Sequence, residues 1–176
     1  GAADADPSEV VVRWGVAAEG ETITWPAAEW TIEDSVVTGG QRVDYHPGTL
    51  REVEVEWRHL PVPELTLPRP RGYIVLAGWP QIAEAASDQR LRVYEITQPA
   101  EIEVETIRLS NPKFASSSFQ GVVMVEDFVV SRQTETRKIP PGSLWIPADQ
   151  PNFEVAVQLF EPEAPDSLVR WGAVSS

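Results

Sequence analysis

The sequence contains no cysteine at all and only two histidines, His46 and His59. The missing cysteines exclude disulfide bonds, thiol catalysis and Cys-based zinc sites, but they leave the compartment undecided, with a periplasmic or secreted location only slightly favoured. No apolar run reaches the roughly 18 residues of a membrane span, and no glycine-rich phosphate-binding motif occurs. Basic residues are few: 14 against 27 acidic residues leave a net charge of −13, which repels nucleic-acid phosphates and anionic lipid. We therefore expect no nucleic-acid partner and no membrane span.

A chain of 176 residues with 42% apolar residues is long enough to bury a core of its own. Residues 1–8 are small and acidic, and they predict a flexible N-terminal end. Gly1 in place of Met is interpreted as the remnant of a tag, at an end that was cut or processed. Residues 9–176 are predicted to form a single domain.

Short apolar or alternating segments, separated by Gly and Pro, predict an all-β fold. We expect a β-sandwich of about ten short strands with one or two short helices. The predicted strands cover residues 9–14, 21–25, 30–37, 51–57, 73–76, 91–96, 101–109, 122–130, 133–139, 144–146 and 153–160.

Two segments predict helices. Pro80 suits a first helical turn, and an apolar stripe follows it up to Asp88. Pro165-Asp166-Ser167 resembles a helix start, and one or two turns would then reach Trp171.

The two histidines offer little for catalysis. An Asp44–His46 pair on one face of an extended segment is conceivable, but Tyr45-His46-Pro47-Gly48 is more typical of a turn. Glu56 and His59 have Glu-x-x-His spacing, yet on a strand a three-residue offset directs the two side chains to opposite faces. A His-rich zinc site is therefore not predicted, whereas calcium held by carboxylates remains open.

Ser143 and the tryptophans have plain structural interpretations. Ser143 lacks the Gly-x-Ser-x-Gly frame of a nucleophile elbow and is predicted to lie in a turn. The seven Trp residues could include a platform that stacks on sugars, but packing in the core and at its rim is the preferred interpretation. No catalytic, cofactor-binding or metal-binding residue is predicted.

Three sequence blocks carry a family resemblance. The first, Arg-Pro-Arg-Gly-Tyr-Ile-Val-Leu-Ala-Gly-Trp-Pro at 69–80, leads into the predicted helix and then into Arg-Val-Tyr-Glu-Ile-Thr at 92–97. The second is Glu-Ile-Glu-Val-Glu-Thr-Ile-Arg at 101–108, with Phe-Gln-Gly-Val at 119–122. The third comprises Pro-Pro-Gly-Ser-Leu-Trp-Ile-Pro-Ala-Asp-Gln-Pro at 140–151 and Leu-Phe-Glu-Pro-Glu-Ala-Pro-Asp-Ser-Leu-Val-Arg-Trp at 159–171.

In this order, the blocks resemble the C-terminal β-domain of bacterial zinc metallocarboxypeptidases of the carboxypeptidase A type, over about residues 22–171. The chain departs from the family pattern at Leu76, where Pro is usual, and at residues 87–90, where a Leu-His-Gly-like turn is usual. The resemblance implies that the zinc ligands, the substrate-binding Arg and the catalytic Glu belong to a preceding catalytic domain.

The resemblance thus implies a non-catalytic accessory domain, whose partner is its own catalytic domain in cis and which itself needs no cofactor. We expect Trp79, Gln150, Pro151, Glu161 and Asp166 to form the surface that contacts this domain, because rigid Pro-rich loops with aromatics make good docking surfaces. The alternative is a stand-alone module that binds carbohydrate or peptide; clustered exposed Trp side chains would support it.

Overall fold

Strands dominate the chain in the computed structural model, which describes residues 8–173. The predicted flexible end, residues 1–8, lies outside the described residues except for Ser8. The all-β, sandwich-like prediction with two short helices is confirmed. The elements are β1 (Glu9–Val16), β2 (Glu21–Asp34), β3 (Gln41–Trp57), β4 (Pro61–Pro68), β5 (Gly72–Val75), α1 (Pro80–Asp88), β6 (Tyr94–Ile96), β7 (Ala100–Phe114), β8 (Val125–Ile139), β9 (Ser143–Pro147) and α2 (Phe153–Phe160).

The described chain divides into two compact units. Residues 15–62 form the smaller unit, and residues 8–14 together with 63–173 form the larger one. That they act as the single domain predicted for residues 9–176 stays a prediction. None of the helices in the described part of the chain is long and apolar enough to cross a membrane.

The core of the larger unit lies around a three-stranded antiparallel sheet with the order β5-β9-β6. Helix α1 has the predicted bounds and buries Ile82 and Ala86. The fully or nearly buried apolar side chains come mainly from β1, β5, β9 and both helices. They include Val10, Val12, Val75, Ile146, Phe153, Ala156 and Val157.

The strand predicted at 153–160 is wrong, because this segment forms helix α2. The apolar residues of this segment fit the two-residue period of a strand as well as the 3.6-residue period of a helix. The structure buries Phe153, Ala156 and Val157, which have the i, i+3, i+4 spacing of a helix face. Gln158 on α2 donates through Nε2 to the carbonyl oxygens of Val11 (3.3 Å) and Val12 (3.1 Å), which attaches the helix to β1.

The helix predicted over 165–171 is also wrong, because successive turns occupy this segment. Ser167 is fully buried; its Oγ donates to the carbonyl of Pro162 at 3.0 Å and accepts from the N–H of Arg170 at 3.3 Å. Such local side-chain bonds compete with helical backbone bonds. The segment is therefore compact without being a helix.

Strands β7 and β8 form a long antiparallel hairpin within the larger unit. The strands predicted at 122–130 and 133–139 are in fact one continuous strand, β8, since no Gly or Pro interrupts it. The pairing extends from Ala100 opposite Ile139 to Phe114 opposite Val125. Irregular register is confined to the stretch between Ser110 and Phe114.

The smaller unit contains the antiparallel pair β2 and β3, which are joined by a turn at 35–40. Gly39 supplies the positive φ of 68° that this turn requires. The turn predicted at 45–48 is wrong: this segment belongs to β3, where the register shifts and leaves Pro47, Gly48 and Thr49 without partners. A bulge tolerates Pro because a residue there needs no ladder hydrogen bond.

The predicted alternation in 51–57 holds, but the apolar face of this segment is not buried. Val53 and Val55 lie opposite Trp25 and Ile23 on one face, and Glu52, Glu54 and Glu56 lie on the other. Even so, Val55 is 37% exposed and Trp57 is 50% exposed. The apolar face of the β2–β3 sheet is therefore largely exposed to solvent.

Candidate functional site

The five residues predicted to form a contact surface do not share one environment. Gln150 and Glu161 are 6% and 4% exposed, so these two cannot be the surface positions that the sequence predicted. Trp79 is half-buried and packs against the core, whereas Pro151 and Asp166 are exposed. A contact with another domain stays a prediction for these three residues.

Gln150 is buried because its side chain serves two backbone groups. Its Nε2 donates to the carbonyl of Pro147 at 2.7 Å, and its Oε1 accepts from the N–H of Arg92 at 2.7 Å. The amide thus connects the end of β9 to the loop that precedes β6. This is a structural role, since both ends of the amide are occupied inside the protein.

Glu161 lies at the centre of a polar network inside the larger unit. It follows α2 with extended backbone angles, and its carboxylate accepts from Tyr73 Oη at 2.8 Å and from Arg132 Nη2 at 2.9 Å. Arg132, on β8, also pairs with Glu163 and with Glu105. The network therefore joins β5, the β7–β8 hairpin and the segment after α2.

Burial and the neighbouring charges shift the ionisation of this network. Burial raises the pKa of the Tyr73 phenol well above its ordinary value, and the carboxylate of Glu161 raises it further. For Arg132, burial would lower the pKa of the guanidinium, but the bonds to Glu161, Glu163 and Glu105 outweigh burial and raise it. Tyr73 thus stays a donor and Arg132 stays a cation, and the network contains no histidine that could act as a base.

A cleft of about 730 Å³ lies beside this network. Its walls come from β5, β7, the segment after α2 and the aromatic side chains of Trp79 and Trp145. The volume falls in the range of roughly 300–1,000 Å³ that is usual for ligand sites. Most of the lining is apolar, and Glu161 contributes a buried charged group.

The histidines have separate partners and hold no common site. His46 Nε2 lies 3.2 Å from Thr31 Oγ1, and the ring of His59 stacks on Trp57 with centroids 4.3 Å apart. Among residues 8–173 there is no group of three His, Asp or Glu side chains that could hold a metal ion. The described residues therefore do not fit the zinc centre of a metallocarboxypeptidase.

Ser143 is a fully buried structural residue. Its Oγ accepts from the N–H of Ala77 at 3.2 Å, next to the turn formed at Gly142. Ser143 is the first residue of β9, and its N–H donates to the carbonyl of Pro140 at 3.3 Å, so it closes the turn in which the sequence placed it.

The tryptophans are more exposed than the core interpretation predicted. Trp14, Trp25, Trp30 and Trp57 are 50–57% exposed, and none of the seven is fully buried. Trp25 pairs with Val53 and Trp30 pairs with Tyr45, on either side of the register shift in the β2–β3 sheet. The smaller unit thus has exposed aromatic rings along most of this sheet.

Sequence reasoning missed Arg132 and Tyr73 as members of the Glu161 network. Arg132 lies in Ser-Arg-Gln-Thr-Glu-Thr-Arg-Lys, where every residue suits the wet face of a sheet. Nothing in that segment distinguishes Arg132 from Arg137. Its burial depends on Glu161 and Glu163, which are about 30 residues away in sequence.

Part of the chain is similar to fungal carboxypeptidases. Carboxypeptidase 2 of Trichophyton rubrum is 29% identical over 114 residues, which is 64% of this chain and 21% of that protein. Carboxypeptidase 2 of Trichophyton tonsurans and that of Trichophyton equinum are each 28% identical over 112 residues, which is 62% of this chain and 20% of theirs. The chain contains a carboxypeptidase-related region.

This region spans about a fifth of the length of the curated relatives it matches. Most of the sequence of those carboxypeptidases therefore has no counterpart in the aligned part of this chain. No family model matches the chain, and no solved structure matches it.

Proposed function

We propose that the chain is a non-catalytic C-terminal accessory domain of a zinc metallocarboxypeptidase, where it packs against the catalytic domain or shapes access to it. The observation that carries this proposal is the unequal coverage: nearly two thirds of this chain matches about a fifth of the fungal carboxypeptidases. A region of that size is compatible with an accessory part, and residues 8–173 hold no metal-ligand cluster.

The exposed apolar surface of the smaller unit supports a packing role. Ile32, Val43, Tyr45 and Leu50 are each 48–67% exposed, in addition to the tryptophans. Exposed apolar patches of this kind mark interaction surfaces in monomeric proteins. We propose that the catalytic domain covers part of this surface. For the larger unit we propose a contact of its own at Trp79, Pro151 and Asp166.

An activity assay tests the non-catalytic part of the proposal. The purified chain is incubated with Zn²⁺ and with blocked dipeptides that end in a free carboxylate, and release of the terminal amino acid is measured. We expect no release above the rate without protein. Zinc-dependent release that disappears in the double variant His46→Ala/His59→Ala would contradict the proposal, because it would place a metal site in this chain.

The contact surface is tested in the longer protein. Asp166→Lys reverses an exposed charge, and Asp88→Lys, at the exposed end of α1, is the matched control. We expect the first change alone to uncouple thermal unfolding of this domain from that of the catalytic domain. Equal unfolding behaviour of the two variants would remove Asp166 from the proposed contact.

A second function, a stand-alone module that binds carbohydrate or peptide, is favoured by one observation. The exposed rings of Trp25, Trp30 and Trp57 are available for stacking on a ligand, and Trp57 is held against His59. Titration with cell-wall oligosaccharides, followed by Trp emission, tests it. A saturable shift that Trp57→Ala abolishes supports this function, and emission that never changes argues against it.

A further inference from the structure

The cleft beside the Glu161 network is bordered by two strands that each lack a partner on one side. Among residues 8–173, strand β5 is at the edge of the sheet β5-β9-β6, and β7 pairs only with β8. No backbone hydrogen bond joins β5 to β7 in the part of the chain that the structure describes. Two rows of N–H and C=O groups are therefore free of protein partners here.

The cleft borders the unpaired edges of both strands, and Arg137 and Ile139 of β8 and Trp145 of β9 line it as well. Every residue from 70 to 76 and every residue from 102 to 107 lines it. Because side chains alternate along a strand, a cleft on one face would be lined by every second residue only. Consecutive lining residues on both strands mean that the backbones themselves border the space.

We propose that this cleft binds an extended peptide in trans, as an added strand between β5 and β7. Pairing with such edges requires a chain of peptide N–H and C=O groups, which fixes the chemistry of the occupant. At about 3.3 Å per residue, the strand edges at 72–75 and 102–107 accommodate roughly four to six extended residues. The proposal does not rest on the accessory-domain function, since it concerns a site within the larger unit.

The lining also defines the side chains that fit. Trp79, Ile82 and Leu168 provide an apolar wall for alternate apolar side chains. The charged lining residues are Glu103, Glu105 and Glu161 against Arg71 and Arg137, and the whole chain has a net charge of −13. Glu103 forms no ion pair within residues 8–173. A peptide that alternates apolar and basic residues is therefore favoured over an acidic one.

Amide hydrogen exchange of the whole chain tests the proposal with the capped hexapeptide acetyl-(Val-Lys)₃-amide. Its matched control is the same peptide with an N-methyl group on every residue, which keeps the charge and the side chains but removes the donors that would pair with either strand. At nine times its Kd, the unmodified peptide should slow exchange about tenfold at amides in 72–75 and 102–107. The N-methylated peptide should leave exchange there unchanged.

A pair of variants on β7 tests the position of the peptide. Glu103→Lys adds a positive charge in the cleft, and Glu101→Lys makes the same change on the same strand outside its lining. We expect the first to weaken binding of the peptide by about threefold or more, and the second by less, since a surface charge pair is worth up to about 1 kcal/mol.

Three results would overturn the proposal. One is the absence of protection at millimolar peptide, and another is equal protection by the N-methylated peptide. The third is protection of 72–75 and 102–107 that rises with protein concentration in the absence of peptide, because a second copy of the chain would then occupy the cleft.

Discussion

Arg132 Nη2 lies 2.9 Å from Oε2 of Glu161, and the Glu161 side chain is only 5% exposed. This pair attaches the β7–β8 hairpin to the segment that follows α2. A buried carboxylate is tolerated only when it is paired and hydrogen-bonded, and here Arg132 and Tyr73 supply both. The hairpin forms one side of the cleft, so the pair also maintains the cleft.

Replacement of Arg132 by Met should be strongly destabilising. It leaves Glu161 buried without its counter-charge, which costs about 3 kcal/mol in the free energy of unfolding. Urea unfolding measures this cost. Arg108→Met, which changes an exposed Arg on β7, is the matched control and should change stability by less than about 0.5 kcal/mol.

The double variant Arg132→Met/Glu161→Gln separates lost pairing from lost packing. We expect it to regain at least half of the stability lost in Arg132→Met, because the unpaired charge is gone. If the double variant is less stable than the single one, the cost comes from packing and the charge argument fails.

Tyr73→Phe should reduce stability by about 1.5–3 kcal/mol at pH 7, the usual value of a hydrogen bond to a charged group. It should also change the pH dependence at alkaline pH. The raised pKa of Tyr73 means that the unfolded chain loses this proton first, near pH 10, so the stability of the wild type falls as the pH rises above about 10.

Urea midpoints of the wild type and of Tyr73→Phe between pH 9 and pH 11.5 test whether stability falls with rising pH as expected. The variant has no phenol at position 73, and its curve should be flatter than that of the wild type. Parallel curves would mean that the Tyr73 phenol ionises in the folded protein as it does in the unfolded one.

Gly72→Ala should destabilise the sheet edge, because a Cβ at this position would lie 2.3 Å from the carbonyl oxygen of Ile146 and 2.4 Å from the Trp145 ring. Forcing atoms into a packed site costs about 1–3 kcal/mol. Gly48→Ala is the control, since an added Cβ at Gly48 meets nothing within 4 Å. Thermal unfolding should show a clear loss for the first variant and little change for the second; equal midpoints would show that β5 shifts at no cost.

The pair of Arg69 and Glu154, 2.9 Å apart, should stabilise the protein only above acid pH. The hydrogen bond from Arg69 lowers the pKa of Glu154, so the contribution is complete above the unfolded value of about 4.3 and is lost as the pH falls through the lowered one. Because Glu154 is 65% exposed, the contribution is at most about 1 kcal/mol.

The contribution of the Arg69–Glu154 pair to stability is measured by the urea midpoints of Glu154→Gln and the wild type at pH 7 and near pH 3. The difference between the two proteins should shrink towards acid pH, while Glu84→Gln, at an exposed position on α1, should behave like the wild type at both. A difference that persists unchanged near pH 3 would show that the charge of Glu154 is not its source.

The elements that could be predicted are those with one unambiguous period. The helix at 80–88 has a Pro in its first turn and a clear apolar stripe, and β3 has strict alternation in 51–57. The segment 153–160 has apolar residues at the spacing of a strand and also at that of a helix. It forms a helix because this conformation buries its apolar side chains against β1 and the central sheet. Tertiary packing thus overrides a local pattern that fits two answers.

The sites were harder to predict because they depend on distant partners. Glu161 and Gln150 are surface residues by composition, and their burial follows from Arg132, Tyr73 and Arg92, each more than 25 residues away. The cleft is bordered in part by strand edges, and an unpaired edge leaves no signature in the sequence. The exposed tryptophans were misjudged because a two-stranded sheet offers no second layer to cover them.

The central claim, an accessory domain of a larger carboxypeptidase, is tested most directly by the size of the native polypeptide that carries this sequence. An antibody to the purified chain is used to isolate that polypeptide from extracts of the source cells, and its mass and peptides are determined by mass spectrometry. We expect a mass far above 19.5 kDa, with peptides from a metallocarboxypeptidase catalytic domain in the same chain. A polypeptide of about 19.5 kDa with no larger precursor would contradict it and would favour the binding-module function instead.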